Sequence, residues 1–135
     1  MPDIKQFTVE QANATLPLVK RIVEDIVLQH RIWREKILEI DLVASTGRVS
    51  DVAQTERLEH EAQAIAREID AFRRELDSLG ILLKDPRLGL IDFPSTIGAR
   101  PVLLCWRLGE AEVQYWHDVN TGFAGRQPLV PESVG

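Results

Sequence analysis

Two long segments of the chain repeat mostly apolar residues at alternating steps of four and three, and this pattern constrains the fold more than any other feature. Such a heptad repeat is typical of a helix that lies along a partner helix. The first seam contains Val19, Val23, Ile26, His30, Trp33, Ile37, Ile40 and Ala44, and the second contains Leu58, Ala62, Ile65, Ile69, Phe72, Leu76 and Leu79. Two matched seams joined by a short connection predict an antiparallel helical hairpin of the coiled-coil type.

The start of the helical region carries a capping signal followed by a proline. Thr8 can accept a hydrogen bond from a free backbone N–H group, and Gln11 three residues later can return one, which is the spacing of a capping box. Pro17 is costly inside a helix because it lacks an N–H group and its ring meets the preceding turn. We therefore expect a short capped helix, a break near Ala14, and a long helix that restarts at residue 16 or 17.

The two seams are separated by a stretch that is typical of a tight connection. Residues 45–50 are predicted to form the loop, with Gly47 in a left-handed conformation. Asp51 and Gln54 repeat the capping-box spacing at the start of the second helix. Gly80 follows the last seam residue and predicts its end.

After Gly80 the apolar pattern becomes that of short strands separated by turns. Residues 102–107 and 113–117 predict a β-hairpin, in which Leu104 lies opposite Trp116 and Leu103 lies opposite His117. Together with the candidate strands before them they predict an antiparallel meander of three or four strands. The fold class is therefore α+β, with the helical hairpin packed on a small sheet.

Alternation along the hairpin strands separates an apolar face from a polar one. Val102, Leu104, Trp106 and Trp116 form the better core face. The opposite face then carries Cys105, Arg107, Tyr115 and His117. The glycine-rich tail at residues 120–129 can fold back over the sheet, which would bury Phe123 and place Arg126 near Asp92 or Glu110.

The length of 135 residues and mass of 15.3 kDa predict a single domain covering residues 1–135. Within it we expect the helical hairpin at 8–79, the meander and its tail at 80–129, and a frayed end at 130–135. Each long helix would extend roughly 40 Å, whereas a sheet of short strands spans roughly 20 Å. The sheet cannot cover the whole hairpin, so the surplus apolar surface predicts a homodimer formed through the hairpin.

Composition narrows the remaining classes of function. A net charge of −5 with interleaved acidic and basic residues argues against a nucleic-acid-binding face. No apolar stretch approaches the length needed to span a bilayer, and no secretory signal opens the chain, which together predict a cytoplasmic protein without a membrane partner. The lone Cys105 lies in apolar company and is interpreted as a buried reduced thiol.

Several motifs together resemble a bacterial family of domains of unknown function. They are the opening FTVEQAN at 7–13, GLIDFP at 89–94, LCWRLGE at 104–110, the Trp-His pair at 116–117 and GFAGR at 122–126. The resemblance covers nearly the whole chain. It implies a small cytoplasmic protein and supplies no activity.

Three functions from different classes are consistent with these patterns. The first is a homodimeric interaction or scaffold module assembled through the hairpin. The second is a module that binds a small ligand or anion on the polar sheet face, using Arg107, Tyr115, His117 and Arg126. The third is a metal-dependent enzyme with Asp92, Glu110 and His117 as ligands, although no established metal-binding spacing is present. No cofactor is predicted, and whether any reaction is catalysed stays open.

Overall fold

The computed structural model describes residues 5–129, and the predicted frayed end at 130–135 lies outside the described residues. Its first helix, α1, spans Val9–Ala44. The predicted capping box is confirmed: the Gln11 N–H donates to Thr8 Oγ1 at 3.1 Å, and the Thr8 N–H donates to the Gln11 side-chain oxygen at 3.0 Å. These bonds satisfy two of the backbone donors that a helix start leaves free.

The predicted break near Ala14 is wrong, because α1 continues through Pro17 without interruption. Pro17 itself is exposed, so its ring costs no buried space. Leu16 and Val19 on either side are buried in the core. A kink would withdraw one of these side chains from the core. The free energy of burial lost in this way is comparable with the roughly 3 kcal/mol that an interior proline costs. A single helix is therefore kept, and no separate short helix precedes the hairpin in the described part of the chain.

A short 3-10 helix, Val49–Asp51, leads into the second helix, α2, which spans Val52–Ser78. Gly47 and Gly80 have φ angles of +66° and +83°, as expected for glycines that follow the ends of helices. The predicted capping box of Asp51 and Gln54 does not form. Asp51 instead accepts a hydrogen bond from Thr46 Oγ1 at 2.8 Å, which closes the loop between the helices.

α1 and α2 form the predicted hairpin, which is linked in its loop-proximal part by an ion pair between Lys36 Nζ and Glu61 Oε2 at 2.7 Å. The depth of packing changes along α1. Its buried residues end at Ile26. The later seam residues, including Trp33 and Ile37, are half-buried, and the last one, Ala44, is exposed. The half of the hairpin that lies over the sheet is thus packed as a core. In the distal half, Leu58 and Ala62 of α2 are buried, but no residue of α1 is.

The sheet contains five antiparallel strands in sequence order. They are β1 Leu82–Asp85, β2 Leu90–Ile97, β3 Arg100–Arg107, β4 Tyr115–Asp118 and β5 Gln127–Pro128. The α+β class and the hairpin-on-sheet architecture are confirmed. The meander has more strands than the three or four predicted because its edge includes the short β5, and the Leu129 N–H beside β5 donates to the Gln114 carbonyl at 2.8 Å.

The predicted register of β3 and β4 is confirmed, with Leu104 opposite Trp116 and Leu103 opposite His117. Leu104 and Trp106 are buried in the core between the sheet and the helices, and Trp116 packs against that core. The core face of the sheet was thus correctly identified from the alternation of residues.

The start of α1 is fastened to the sheet by Phe7. Its N–H donates to the Pro94 carbonyl at 2.8 Å, and its own carbonyl accepts from Ser95 Oγ at 2.6 Å. Its ring packs edge-on against the Phe93 ring, with 5.2 Å between the two ring centroids. These contacts fix the angle at which the hairpin leaves the sheet.

Neither α1 nor α2 carries an uncharged apolar stretch long enough to cross a bilayer, nor does any other helix among residues 5–129.

Candidate functional site

The sheet face that points away from the helices carries three chemically reactive side chains on three neighbouring strands. Asp92 of β2 lies opposite Cys105 of β3, and His117 of β4 lies opposite Leu103. Alternation then places all three on the same face. They are 1%, 0% and 4% exposed, respectively, and their ligand atoms lie within 4.8 Å of one another. We refer to Asp92, Cys105 and His117 as the buried triad.

The hydrogen bonds of His117 define its tautomer. Its Nδ1 lies 2.8 Å from the Asp118 carbonyl oxygen, which can only accept, so Nδ1 carries a proton and donates it. Its Nε2 lies 3.0 Å from Asp92 Oδ2. A hydrogen bond across this second contact requires one proton, held either by Nε2 or by the carboxyl group. Asp92 and His117 therefore share one proton in a site closed to water.

Burial dominates the acid–base properties of the other two groups. The loss of solvent raises the pKa of Asp92, and the neighbouring His117 partly opposes this shift. Burial, followed by the nearby Asp92 carboxylate, raises the pKa of the Cys105 thiol to about 12. The Oδ1 atom of Asp92 accepts no hydrogen bond of ordinary geometry from the described residues. Cys105 is thus a thiol at neutral pH, and Asp92 keeps one acceptor unsatisfied.

A second group of polar residues fastens the C-terminal segment to the sheet. Arg126 Nη2 donates to Glu110 Oε2 at 2.6 Å, and its guanidinium lies 3.7 Å from the centre of the Tyr115 ring and 4.6 Å from that of Phe123. The other oxygen of Glu110 accepts from the Arg107 backbone N–H at 2.7 Å. We refer to Glu110, Tyr115, Phe123 and Arg126 as the arginine clasp.

The metal ligands predicted from the sequence were Asp92, Glu110 and His117. The structure brings Asp92 and His117 together, whereas Glu110 belongs to the arginine clasp. Cys105 takes the third position instead. Cys105 was predicted to be a buried reduced thiol and was not among the predicted ligands, although the pairing of 89–94 with 102–107 would have placed it directly beside Asp92.

The predicted ligand-binding residues, Arg107, Tyr115, His117 and Arg126, occupy different environments. Tyr115 and Arg126 stack on each other in the arginine clasp, and Arg107 is exposed with its guanidinium 5.9 Å from the Phe123 ring centre. His117 is buried. The expectation that the tail places Arg126 beside Glu110 is confirmed, and Phe123 is half-buried. Ligand binding by these residues stays a prediction.

A separate cleft of about 800 Å³ opens between the start of α1 and the ends of β2 and β5. Its walls include Phe7, Thr96, Ile97, Trp116 and Pro128. None of the predicted site residues lines it. Because it adjoins both ends of the described chain, we assign it no role.

The outer side of α1 is the second surface with functional potential. Leu18, Leu28, Leu38 and Leu42 are 56%, 47%, 63% and 70% exposed. At 3.6 residues per turn they fall on the half of α1 that faces away from the seam and from α2. We refer to these four residues as the leucine stripe.

Comparison with known proteins identifies a family and leaves the activity open. No curated protein and no solved structure matches the chain. One family model matches residues 5–129, which include both helices, all five strands, the buried triad and the arginine clasp. The chain therefore belongs to the family of uncharacterized conserved proteins DUF2203.

Proposed function

We propose that this protein is a self-associating interaction module in which two copies pair through the outer side of α1. The observation that carries the proposal is the leucine stripe. Three of its members, Leu28, Leu38 and Leu42, lie within about 80° of one another around α1. Apolar side chains about half-exposed or more on one side of a helix are costly in a free monomer. Pairing would leave the sheet of each copy accessible for binding other partners.

The distal half of the hairpin supports this proposal. Residues 27–44 of α1 extend roughly 27 Å, and none of them is fully buried. At the tip, Val49 and Val52 are 88% and 51% exposed. Two helices without a third layer bury only one stripe each, so a second hairpin is the simplest source of the missing layer.

Charge complementarity favours an antiparallel pair of α1 helices. If a two-fold axis passes near residue 33, Leu28 of one copy faces Leu38 of the other, and Arg31 faces Glu35. Arg31 and Glu35 are exposed and lie on the same side of α1 as the leucine stripe. This arrangement is isologous, so each of these contacts occurs twice across the interface.

Sedimentation equilibrium of the purified protein tests the proposal. We expect the wild type to have twice the mass of the 15.3 kDa chain at micromolar concentration. The double variant Leu28→Gln with Leu38→Gln should be monomeric, because it removes the apolar contacts of both copies. The matched control is Leu82→Gln, which changes a leucine that is 37% exposed on β1 and should leave the mass unchanged.

Charge reversal tests the orientation. Arg31→Glu alone and Glu35→Arg alone each place like charges opposite one another and should weaken the dimer at least about tenfold. The combination of both reversals should restore it. A monomeric wild type, or a dimer that none of these substitutions weakens, would contradict pairing through α1.

A further inference from the structure

We propose that the buried triad of Asp92, Cys105 and His117 binds one divalent transition-metal ion, with Zn²⁺ as the ion that best suits its three donors. A thiolate sulfur, an imidazole nitrogen and a carboxylate oxygen are the three donor types found in protein zinc sites. The proposal does not depend on pairing through α1, because the triad lies on the sheet face that points away from the helices.

The orientation of His117 is that of a metal-binding histidine. Ligating histidines donate the proton of one ring nitrogen to a carbonyl or carboxylate and direct the other nitrogen at the ion. Here Nδ1 donates to the Asp118 carbonyl at 2.8 Å, and Nε2 lies 3.0 Å from Asp92 Oδ2 within the triad. The backbone of β4 therefore already holds the ring in the required tautomer.

Asp92 supplies the second, independent observation. Its side chain is 1% exposed, and its Oδ1 accepts no hydrogen bond of ordinary geometry from the described residues. A buried carboxylate oxygen without a partner costs on the order of 1–3 kcal/mol. The neighbouring Cys105 thiol acts on the carboxyl group as a weak donor, but it makes no hydrogen bond of ordinary geometry to Oδ1. A cation bound through both carboxylate oxygens would satisfy Oδ1.

The distances require only small movements. In a tetrahedral site the carboxylate oxygen and imidazole nitrogen would lie about 3.3 Å apart, and the sulfur about 3.6 Å from each. Asp92 Oδ2 and His117 Nε2 are 3.0 Å apart, and all three ligand atoms fall within 4.8 Å. The largest change required in a distance between ligand atoms, from at most 4.8 Å to about 3.6 Å, is therefore about 1.2 Å.

The charges balance when the ion enters. Cys105 releases its thiol proton, and the proton shared by Asp92 and His117 also leaves, so two protons are exchanged for one Zn²⁺. The thiolate and the carboxylate then neutralise the ion within the protein. Arg126 is the nearby cation that affects Cys105, and its charge is compensated by Glu110 at 2.6 Å.

Cobalt substitution tests the site, because a Co²⁺–thiolate bond gives a near-ultraviolet charge-transfer band and the chain contains a single cysteine. We expect the chelator-treated full chain to bind one Co²⁺ with this band, and Zn²⁺ to displace it. Cys105→Ala should abolish the band, and Asp92→Asn or His117→Gln should each weaken binding at least about tenfold. The controls Glu110→Gln and His60→Gln should keep both band and stoichiometry.

X-ray absorption of the zinc-loaded wild type keeps the proposal testable if the triad variants fail to fold. It should show one sulfur at about 2.3 Å and nitrogen or oxygen neighbours at about 2.0–2.1 Å. Zinc surrounded only by nitrogen and oxygen would overturn the proposal. So would a cobalt complex without the charge-transfer band, or binding that is lost in Glu110→Gln and retained in Cys105→Ala.

Discussion

At the scale of single residues, the sheet face that points away from the helices is organised by two polar groups with different chemistry, one buried and one half-buried. In the buried triad, Asp92 and His117 share one proton while the Cys105 thiol lies against them. In the arginine clasp, Arg126 is held by a carboxylate on one side and by aromatic rings on its faces. Both groups join residues far apart in sequence, so both stabilise the sheet only after its strands have paired.

The Cys105 thiol gives the fold a specific sensitivity to alkaline pH. Its pKa is about 12 in the folded protein and 9.0 in an exposed thiol. The folded state therefore keeps the thiol proton to a higher pH than the unfolded state does. The stability that the desolvated neutral thiol contributes relative to the thiolate is lost as pH rises from about 9 towards about 12. In metal-free protein we expect the wild type to lose about 1 kcal/mol more than Cys105→Ala between about pH 8 and about pH 10. Urea denaturation at both pH values measures the free energy of unfolding of the two proteins. Equal losses of this free energy in the wild type and in Cys105→Ala would show that the thiol is not desolvated.

The arginine clasp depends on the planar guanidinium of Arg126. Arg126→Lys keeps the charge but loses the stacking on Tyr115 and Phe123, so we expect a loss of about 1–2 kcal/mol in the free energy of unfolding. Arg107→Lys is the matched control, because Arg107 is exposed and lies farther from Phe123. Its effect should remain within about 0.5 kcal/mol. Equal effects of the two substitutions in urea denaturation would contradict a specific role for the clasp.

At the scale of the elements, the docking of the sheet on α1 requires a glycine at the start of β2. Gly89 has a φ of +69°, and a Cβ there would lie 2.8 Å from Leu108 Cβ and 3.0 Å from carbon atoms of Val23 and Val27. The sheet can approach the helix this closely only because no side chain intervenes.

Gly98 provides a matched comparison, because it has a φ of +65° with no atom within 4 Å of an added Cβ. Gly98→Ala should therefore cost only the backbone strain of about 1–2 kcal/mol. Gly89→Ala adds the overlap with α1, and we expect a total loss of about 3 kcal/mol or more. Thermal unfolding of both variants measures the difference. Similar losses would mean that the sheet moves freely away from α1.

Pro17 should destabilise α1 even though the helix passes through it. Pro17→Ala restores a backbone N–H donor on an exposed helical turn and should stabilise the protein by about 1–2 kcal/mol, after allowance for the greater freedom of the unfolded chain. The control Pro86→Ala, in the turn between β1 and β2, should bring no gain, because there the proline rigidifies a turn. If Pro17→Ala lowers the melting temperature, the proline has a favourable role that the helix geometry does not reveal.

The elements were predictable from sequence where a periodic pattern determined them. The heptad seams identified both long helices, and alternation identified the register of β3 and β4. The continuity of α1 through Pro17 was not predictable, because it depends on burial of Leu16 and Val19 against the sheet. The two-residue β5 contains too few residues for a strand pattern. The place of Cys105 beside Asp92 required the pairing of β2 with β3, which their sequences do not specify.

At the scale of the whole molecule, the protein divides into a packed half and an open half. The sheet covers one end of the hairpin. At the other end Leu58 and Ala62 of α2 are buried, the seam residues of α1 are half-buried or exposed, and leucines are exposed on the outside. The buried triad and the leucine stripe lie on different elements. Metal binding and self-association are therefore expected to be separable, and variants at one site should leave the other unchanged.

Pairing through α1 should make thermal stability depend on protein concentration. The melting temperature of the wild type should rise with concentration, because a dimer is favoured by mass action. The double variant Leu28→Gln with Leu38→Gln should show no such dependence. A wild type whose melting temperature is independent of concentration would contradict a coupled dimer.

The most direct test of the account is disulfide cross-linking between single-cysteine additions on α1, because the native Cys105 is fully buried. Leu28→Cys and Leu38→Cys proteins would be mixed and oxidised mildly. The antiparallel arrangement places positions 28 and 38 of different copies face to face, within the separation of about 4–7 Å between Cα atoms that a disulfide spans. We predict efficient cross-linking in the mixture, little in either protein alone, and none in the wild type. Cross-linking of either protein alone that is as efficient as in the mixture, or the absence of any cross-link, would contradict the proposed dimer.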